Sequence, residues 1–312
     1  MTNEPMTRRQ ATRLIAGSTA CLLVSNSAVL GQAQENTRML LRPILSSGDK
    51  LPVIGLGTWQ SFDVGTSAAD RAPLEEVLGA FVRLGGRVVD SSPMYGKAEG
   101  VVGDLAQKLR LHDSLFLATK VWTSGKEAGV KSMERSLDLM KTKRMDLMQV
   151  HNLVDVQTHL ATLREWQKQG RVRHIGITHY TAGNHDEVAD LLEREEMDFV
   201  QINYSVGEPQ AEKRVLRVAQ EHGVAVLVNR PFGGGDLFSR VRGKPLPDFA
   251  AEIDCASWAQ LFLKWILGHP AVTCAIPATS KLRHLEDNMR GGIGRLPDAK
   301  MRRRILDAVA GA

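Results

Sequence analysis

Eight short apolar runs, each followed by a stretch with helical periodicity, constrain what this chain can fold into. Strand-like segments fall at 52–58, 87–90, 115–120, 145–151, 172–178, 199–203, 224–229 and 272–276. Helical segments alternate with them at 72–84, 98–109, 130–140, 158–169, 184–195, 211–222, near 257–267 and at 282–289, the last helix in this reading. The first helix shows the pattern: Leu74, Val77, Leu78, Phe81, Val82 and Leu84 share one face before Gly85-Gly86 stops it. This alternation predicts an α/β fold, a single-domain (β/α)8 TIM barrel over residues 50–312, preceded by a linker and N-terminal cap at 34–49. The competing topology is an open doubly wound sheet. It would carry a Gly-rich fingerprint straight after the first strand, and Gly55-Leu56-Gly57-Thr58-Trp59-Gln60 lacks the third Gly.

The N-terminus reads as something other than fold. Thr7-Arg8-Arg9-Gln10-Ala11-Thr12-Arg13 is a charged region with an Arg pair, residues 14–31 carry no charge, and Gly31-Gln32-Ala33 places small residues at a cleavage site. The pattern is that of a twin-arginine-type signal peptide over residues 1–33. It predicts handling by the twin-arginine export machinery and a periplasmic protein, with a cytoplasmic chain as the competing reading. The uncharged run is interrupted by Ser, Asn and Gly, so no stable membrane span is expected after its removal.

Charge and cysteine content narrow the chemistry. The chain has 40 Lys+Arg and 35 Asp+Glu; without the three Arg and one Glu of residues 1–33 the excess is 37 minus 34, or +3. Part of that is Arg302-Arg303-Arg304, read as a solvated helix face. This mild excess, with 5% aromatics and no basic–aromatic interleaving, argues against nucleic-acid binding. Of three cysteines, Cys21 lies in the leader, and Cys255 and Cys274 are isolated and read as buried thiols. No Cys/His spacing suits a metal.

Chemistry in a parallel barrel sits at the C-terminal strand ends. The polar residues there are Asp90 and Tyr95 after the second strand, Lys120 ending the third, His151 ending the fourth, Thr178 and His179 after the fifth, and Gln201 on the sixth. Singly each has a structural reading: a turn cap, a packed aromatic, a snorkelling Lys, a satisfied core His. Four titratable groups on three consecutive strands converge on one mouth. A Tyr is a weak acid at neutral pH. A Lys ammonium beside it favours ionisation, an Asp paired with the Lys holds it, and a His can orient a bound carbonyl.

At this point the chain resembles the aldo-keto reductase superfamily. The matching pieces are Gly55-Leu56-Gly57-Thr58-Trp59, Asp90-Ser91-Ser92-Pro93-Met94-Tyr95-Gly96, Thr119-Lys120-Val121-Trp122, Met145-Asp146-Leu147-Met148-Gln149-Val150-His151-Asn152, Ile175-Gly176-Ile177-Thr178, Val200-Gln201-Ile202-Asn203-Tyr204 and Ile276-Pro277-Ala278-Thr279-Ser280-Lys281, in family order. The resemblance implies a catalytic tetrad of Asp90, Tyr95, Lys120 and His151, with Tyr95 the proton donor and a nicotinamide nucleotide the hydride donor. It implies a cofactor site that includes Thr58. Gln201, Thr178 and His179 would stand at the nicotinamide carboxamide. Asn229 replaces a stacking aromatic, and Arg230 and Phe232, with the Gly233-Gly234-Gly235 run, lie toward the diphosphate. Thr279, Ser280, Lys281 and His284 would lie at the 2′-phosphate, where Ala278 and His284 depart from the usual Lys and Arg. Asp287 and Asn288 would take the adenine end. NADPH is favoured over NADH, no metal is implied, and Trp59 and Trp122 would line the pocket of a small carbonyl substrate. The expectation is an NAD(P)H-dependent reductase of aldehydes and ketones. The alternative is a nicotinamide-nucleotide-binding sensor or partner subunit on the same barrel, with little catalysis.

Overall fold

The computed structural model describes residues 38–311, and the leader reading therefore falls outside the described residues. The first element is a hairpin of β1 (Leu41–Pro43) and β2 (Lys50–Pro52), paired antiparallel. Then come β3 (Leu56–Gly57), α1 (Ala68–Arg83), β4 (Val88–Asp90), α2 (Ala98–Leu109), β5 (Phe116–Val121), α3 (Lys126–Leu139), β6 (Met145–His151), α4 (Val156–Lys168), β7 (Val172–Thr178), α5 (His185–Arg194), β8 (Phe199–Asn203), α6 (Val215–Glu221), β9 (Ala225–Asn229), α7 (Asp236–Arg240), α8 (Trp258–Leu267), β10 (Val272–Ala275), α9 (Leu282–Arg290) and α10 (Ala299–Ala310).

Strands β3 to β10 form one parallel sheet in sequential order. Its two edges meet through parallel bridges Ile54↔Ala275 and Gly57↔Ala278, with Gly55 N donating to Ala275 O at 2.8 Å. The expected barrel is thus closed. Gly57 sits at this seam because a Cβ there would lie 2.8 Å from the Ile276 carbonyl.

Period-two alternation sorts the strand residues. Val88, Phe116, Ala118, Leu147, Phe199, Ala225, Leu227 and Cys274 fill the barrel interior, and their strand neighbours Val89, Leu117, Met148, Val150, Val200 and Val226 pack outward under the helices. Ile44 and Leu51 of the hairpin join the interior cluster, so residues 41–52 plug the N-terminal end of the barrel. Arg42 fastens the plug: its guanidinium donates to the carbonyls of Leu267, His269 and Val272, where α8 turns into β10. Arg42→Ala is expected to cost about 1–3 kcal/mol, the penalty for stranding such groups. Urea unfolding would measure it, and an unchanged midpoint would refute it.

Four expectations are corrected. The first strand is shorter than 52–58, because residues 50–52 belong to the hairpin. The segment 211–222 holds a 3-10 turn, Gln210–Lys213, and the short helix α6 rather than one helix. Segment 282–289 is not the last helix: α10 follows, burying Met301, Ile305 and Val309 on one face. Nor is Arg302 solvated. It stacks on Trp265, 4.4 Å from the ring centroid, and pairs with Glu212 at 2.6 Å. Cys255 and Cys274 are buried and unpaired, as read. Among the described residues no helix is long and apolar enough to cross a membrane, and no His/Cys/Asp/Glu cluster suits a metal ion.

Candidate active site

The alternation that fills the barrel also builds the site. On β5 the inward residues are Phe116, Ala118 and then Lys120; on β6, Leu147, Gln149 and His151; on β8, Phe199, Gln201 and Asn203. The apolar layers end, and the next inward position on each strand is polar.

Lys120 Nζ donates to Asp90 Oδ2 at 2.7 Å and to the Ser91 carbonyl at 2.6 Å. Lys120 is fully buried and Asp90 is 2% exposed. Burial alone would pull the Lys120 ammonium down, but Asp90 and Tyr95 outweigh it and the net shift is upward, so the ammonium stays charged. Lys120 Nζ lies 5.0 Å from the centroid of the Tyr95 ring. The Tyr95 ring meets His151 edge-on, 6.2 Å between centroids. The four residues picked from the strand ends are therefore neighbours.

One expectation about Tyr95 changes. Burial raises the phenol pKa above its ordinary value, and Lys120, though it opposes the shift, does not overcome it. Tyr95 thus remains a protonated donor throughout the neutral range.

Burial first, and then the Lys120 charge, push His151 down to about 3. Ser92 Oγ lies 3.1 Å from His151 Nδ1 and accepts the Met94 N–H at 3.3 Å, which frees its own proton for Nδ1. With Ser92 donating to Nδ1, the single N–H of the neutral ring lies on Nε2. The ring is neutral above about pH 4. The pH profile of kcat/KM should therefore show no His151 protonation step between about pH 5 and 8, the range where an unperturbed His titrates. A step that vanished in His151→Gln would contradict this. The sign for stability follows. The unfolded chain takes up this proton near pH 6.5 and the folded one near 3, so His151 weakens the fold as pH falls through that window.

Three supporting residues were not among those singled out at the strand ends. Ser91 and Ser92 look like a spacer, yet one supplies a carbonyl to Lys120 and the other fixes the His151 tautomer. Gln149 Nε2 lies 3.4 Å from Asp90 Oδ1.

The cofactor positions divide. Gln201 Nε2 donates to Asp90 Oδ1 at 2.9 Å, and its Oε1 accepts from Thr178 Oγ1 at 2.9 Å. Both residues therefore brace Asp90 from β7 and β8. Thr58 is fully buried, with Oγ1 3.0 Å from both the Asp90 carbonyl and Ser91 Oγ. Its hydroxyl thus ties the end of β3 to the start of the loop after β4. His179 is half-buried and stacks on Tyr180, 5.6 Å between centroids. Asn229 Nδ2 donates to the His179 carbonyl at 3.2 Å, and Asn229 Oδ1 is buried with no partner. Asn152 Oδ1, beside His151, is likewise unpartnered. These two orphaned acceptors fit the amide N–H2 of a nicotinamide. Arg230 lies against the Gly233–Gly235 turn, and Phe232 packs on Phe238, 4.9 Å between centroids.

At α9 the groups are less uniform. An open groove of about 540 Å³ is lined by Arg283, His284, Glu286, Asp287 and Arg290. Burial, Arg283 and Lys281 hold His284 below its usual pKa. Ser280 and Lys281 precede the helix, while Thr279 Oγ1 turns back to accept the Lys281 N–H at 3.1 Å. Asp287 is committed elsewhere: its two oxygens accept from Ser257 Oγ at 2.8 Å and Gln260 Nε2 at 2.6 Å at the start of α8. Asn288 is buried beside it. On the rim, Trp59 and Trp122 are each 45% exposed. Trp122 lies 6.1 Å from the His151 ring.

Comparison with known proteins identifies the family of the chain. The Aldo/keto reductase family model matches residues 53–304. A methylglyoxal reductase from Escherichia coli strain K12 is 28% identical over 258 residues, covering 80% of this chain and 89% of its own. An NADP-dependent D-sorbitol-6-phosphate dehydrogenase from Malus domestica is 26% identical over 287 residues, covering 78% and 86%. Among solved structures, an aldo-keto reductase from Klebsiella pneumoniae in complex with NADPH superimposes with a TM-score of 0.72 at 24% identity, covering 88% of this chain and 95% of that one. The structural likeness speaks to the fold. The family match spans the barrel from the first strand into α10, and the chain belongs to the aldo/keto reductase family, oxidoreductases acting on carbonyl and alcohol groups.

Proposed function

We propose that the chain reduces aldehydes or ketones to alcohols with NADPH, Tyr95 donating the proton. One observation carries this reading. A buried, charged Lys–Asp pair stands directly behind a phenol at the barrel mouth, beside a neutral His. A structural ion pair needs no phenol aligned with it.

A nicotinamide nucleotide supplies the hydride. The residues that would hold it are Asn229, Asn152 and His179 at the nicotinamide, Arg230, Phe232 and the Gly233–Gly235 turn at the diphosphate, and Ser280, Lys281, Arg283 and His284 at the far phosphate. Tyr95 Oη gives its proton to the substrate oxygen as negative charge develops there. Lys120, itself fully buried, stabilises the phenolate left behind. Asp90 keeps Lys120 protonated and aimed, and Gln149 and Gln201 hold the other carboxylate oxygen. His151, fixed by Ser92, offers its Nε2 proton as a second donor that orients the carbonyl.

The preference for NADPH is supported by the basic side chains around α9 and by the NADP-dependent relative. Titrating tryptophan fluorescence with both nucleotides tests it: NADPH should bind at least about tenfold tighter, the worth of one charged phosphate contact. Equal affinity would refute the preference. The open, aromatic rim suits small or varied carbonyl compounds, in keeping with the methylglyoxal reductase relatives. Export to the periplasm through the leader of residues 1–33 is part of the proposal. Sequencing the N-terminus of the mature protein from fractionated cells decides it, and an intact Met1 in the cytoplasm would refute it.

A further inference from the structure

Residues 61–63, between Trp59 and α1, play no part in the reaction as derived above. Their backbone folds into a tight turn: Phe62 N donates to Thr58 O at 3.0 Å, and Val64 N to Phe62 O at 3.0 Å. Phe62 is fully buried beneath the turn and anchors it. The turn carries the Asp63 carboxylate across to the loop that follows β4, where Asp63 Oδ1 accepts the N–H of Lys97 at 3.0 Å. Lys97 stands at the start of α2 and makes no side-chain cap of its own. The carboxylate thus satisfies an open amide at the positive end of a twelve-residue helix, where an anion is favoured.

The neighbouring residue shows how close the fit is. Gly96 has φ +60°, and a Cβ there would lie 2.4 Å from the Asp63 carboxyl atoms. The backbone angle favours glycine, and a side chain there would push the Asp63 carboxylate away. Gly96 directly follows Tyr95, whose own N–H bonds the Ser92 carbonyl at 3.0 Å and whose carbonyl accepts from Ala98 N at 3.1 Å.

We infer that Asp63 is a positioning residue for Tyr95. The loops after β3 and β4 are clasped at two points, by Thr58 next to the barrel and by Asp63 at the outer end. The outer clasp fixes where the Tyr95 phenol stands relative to Lys120. It also ties Trp59 to Tyr95, so the substrate rim and the proton donor keep one spacing. The inference rests on the reading of Tyr95 as the acid.

The test compares Asp63→Ala, Asp63→Asn and Tyr95→Phe in the full chain, measuring kcat and KM for one aldehyde and NADPH affinity by fluorescence. Asp63→Ala should lower kcat by roughly tenfold or more, since small misplacements of a reacting group are costly, with NADPH affinity unchanged. Asp63→Asn, whose amide oxygen accepts the same N–H, should recover most of the loss; a merely structural role gives no such split between kcat and affinity. If Asp63→Ala turns over like wild type while Tyr95→Phe is inactive, the clasp is wrong and the acid assignment stands. If Tyr95→Phe is fully active, both fail. Should Asp63→Ala prove insoluble, Asp63→Leu, similar in shape to Asn but without an acceptor, takes its place: a loss of tenfold or more in Leu with near wild-type kcat in Asn supports the clasp, and equal kcat in the two overturns it.

Discussion

Tyr95→Phe should reduce turnover of a test aldehyde by roughly 10²–10⁴-fold, the usual worth of a positioned general acid. NADPH affinity should stay within about a factor of two, because the change removes an interaction made in the transition state and not in binding. The substitution deletes one oxygen and leaves the ring that packs against His151 and Lys120, so the fold has no reason to change. Steady-state kinetics beside a nucleotide titration measure both quantities. A variant that keeps its turnover would remove Tyr95 from the chemistry.

Lys120→Met should lose activity on a similar scale and should also destabilise the protein. It leaves Asp90, 2% exposed, as an uncompensated buried charge. Breaking a buried pair in this way costs about 3–5 kcal/mol. Asp90→Asn in the same chain should return much of that stability, since an apolar or neutral replacement of both partners is close to neutral. It should return none of the activity. Urea unfolding and turnover, measured on the single and double variants, separate the two effects. The pair is then shown to be kept for chemistry and not for stability. A double variant as unstable as Lys120→Met would contradict this.

Much of this was legible in the sequence for a physical reason. Parallel strands in a barrel are covered on both sides, so they are apolar until they reach the mouth, and the first polar inward residue marks the site. Lys120, Gln149 and Gln201 announce themselves in this way, with His151 one inward position beyond Gln149. The hairpin of residues 41–52 did not, since three-residue strands carry too little pattern. Helix α10 had a signal in Met301, Ile305 and Val309, but the Arg302-Arg303-Arg304 run reads as a solvated helix face and masks the buried one. The roles of Thr58, Ser92 and Asp63 depend on contacts between loops that spacing along the chain does not encode. Gln201 shows the limit most clearly. It stands on the sixth predicted strand as expected, yet only the structure shows its amide bonded to Asp90 at one end and to Thr178 at the other. Asp287, which stands on a helix in the expected place, accepts from the Ser257 and Gln260 side chains at the start of α8.

The account is tested most directly by counting products. Wild-type protein is mixed with a known amount of NADPH and an excess of a small aldehyde, and the alcohol formed is quantified against the NADPH consumed. The account predicts many turnovers per protein with one alcohol for each NADPH oxidised. Tight NADPH binding with neither oxidation nor alcohol would contradict it and mark the chain as a nucleotide sensor on a reductase barrel.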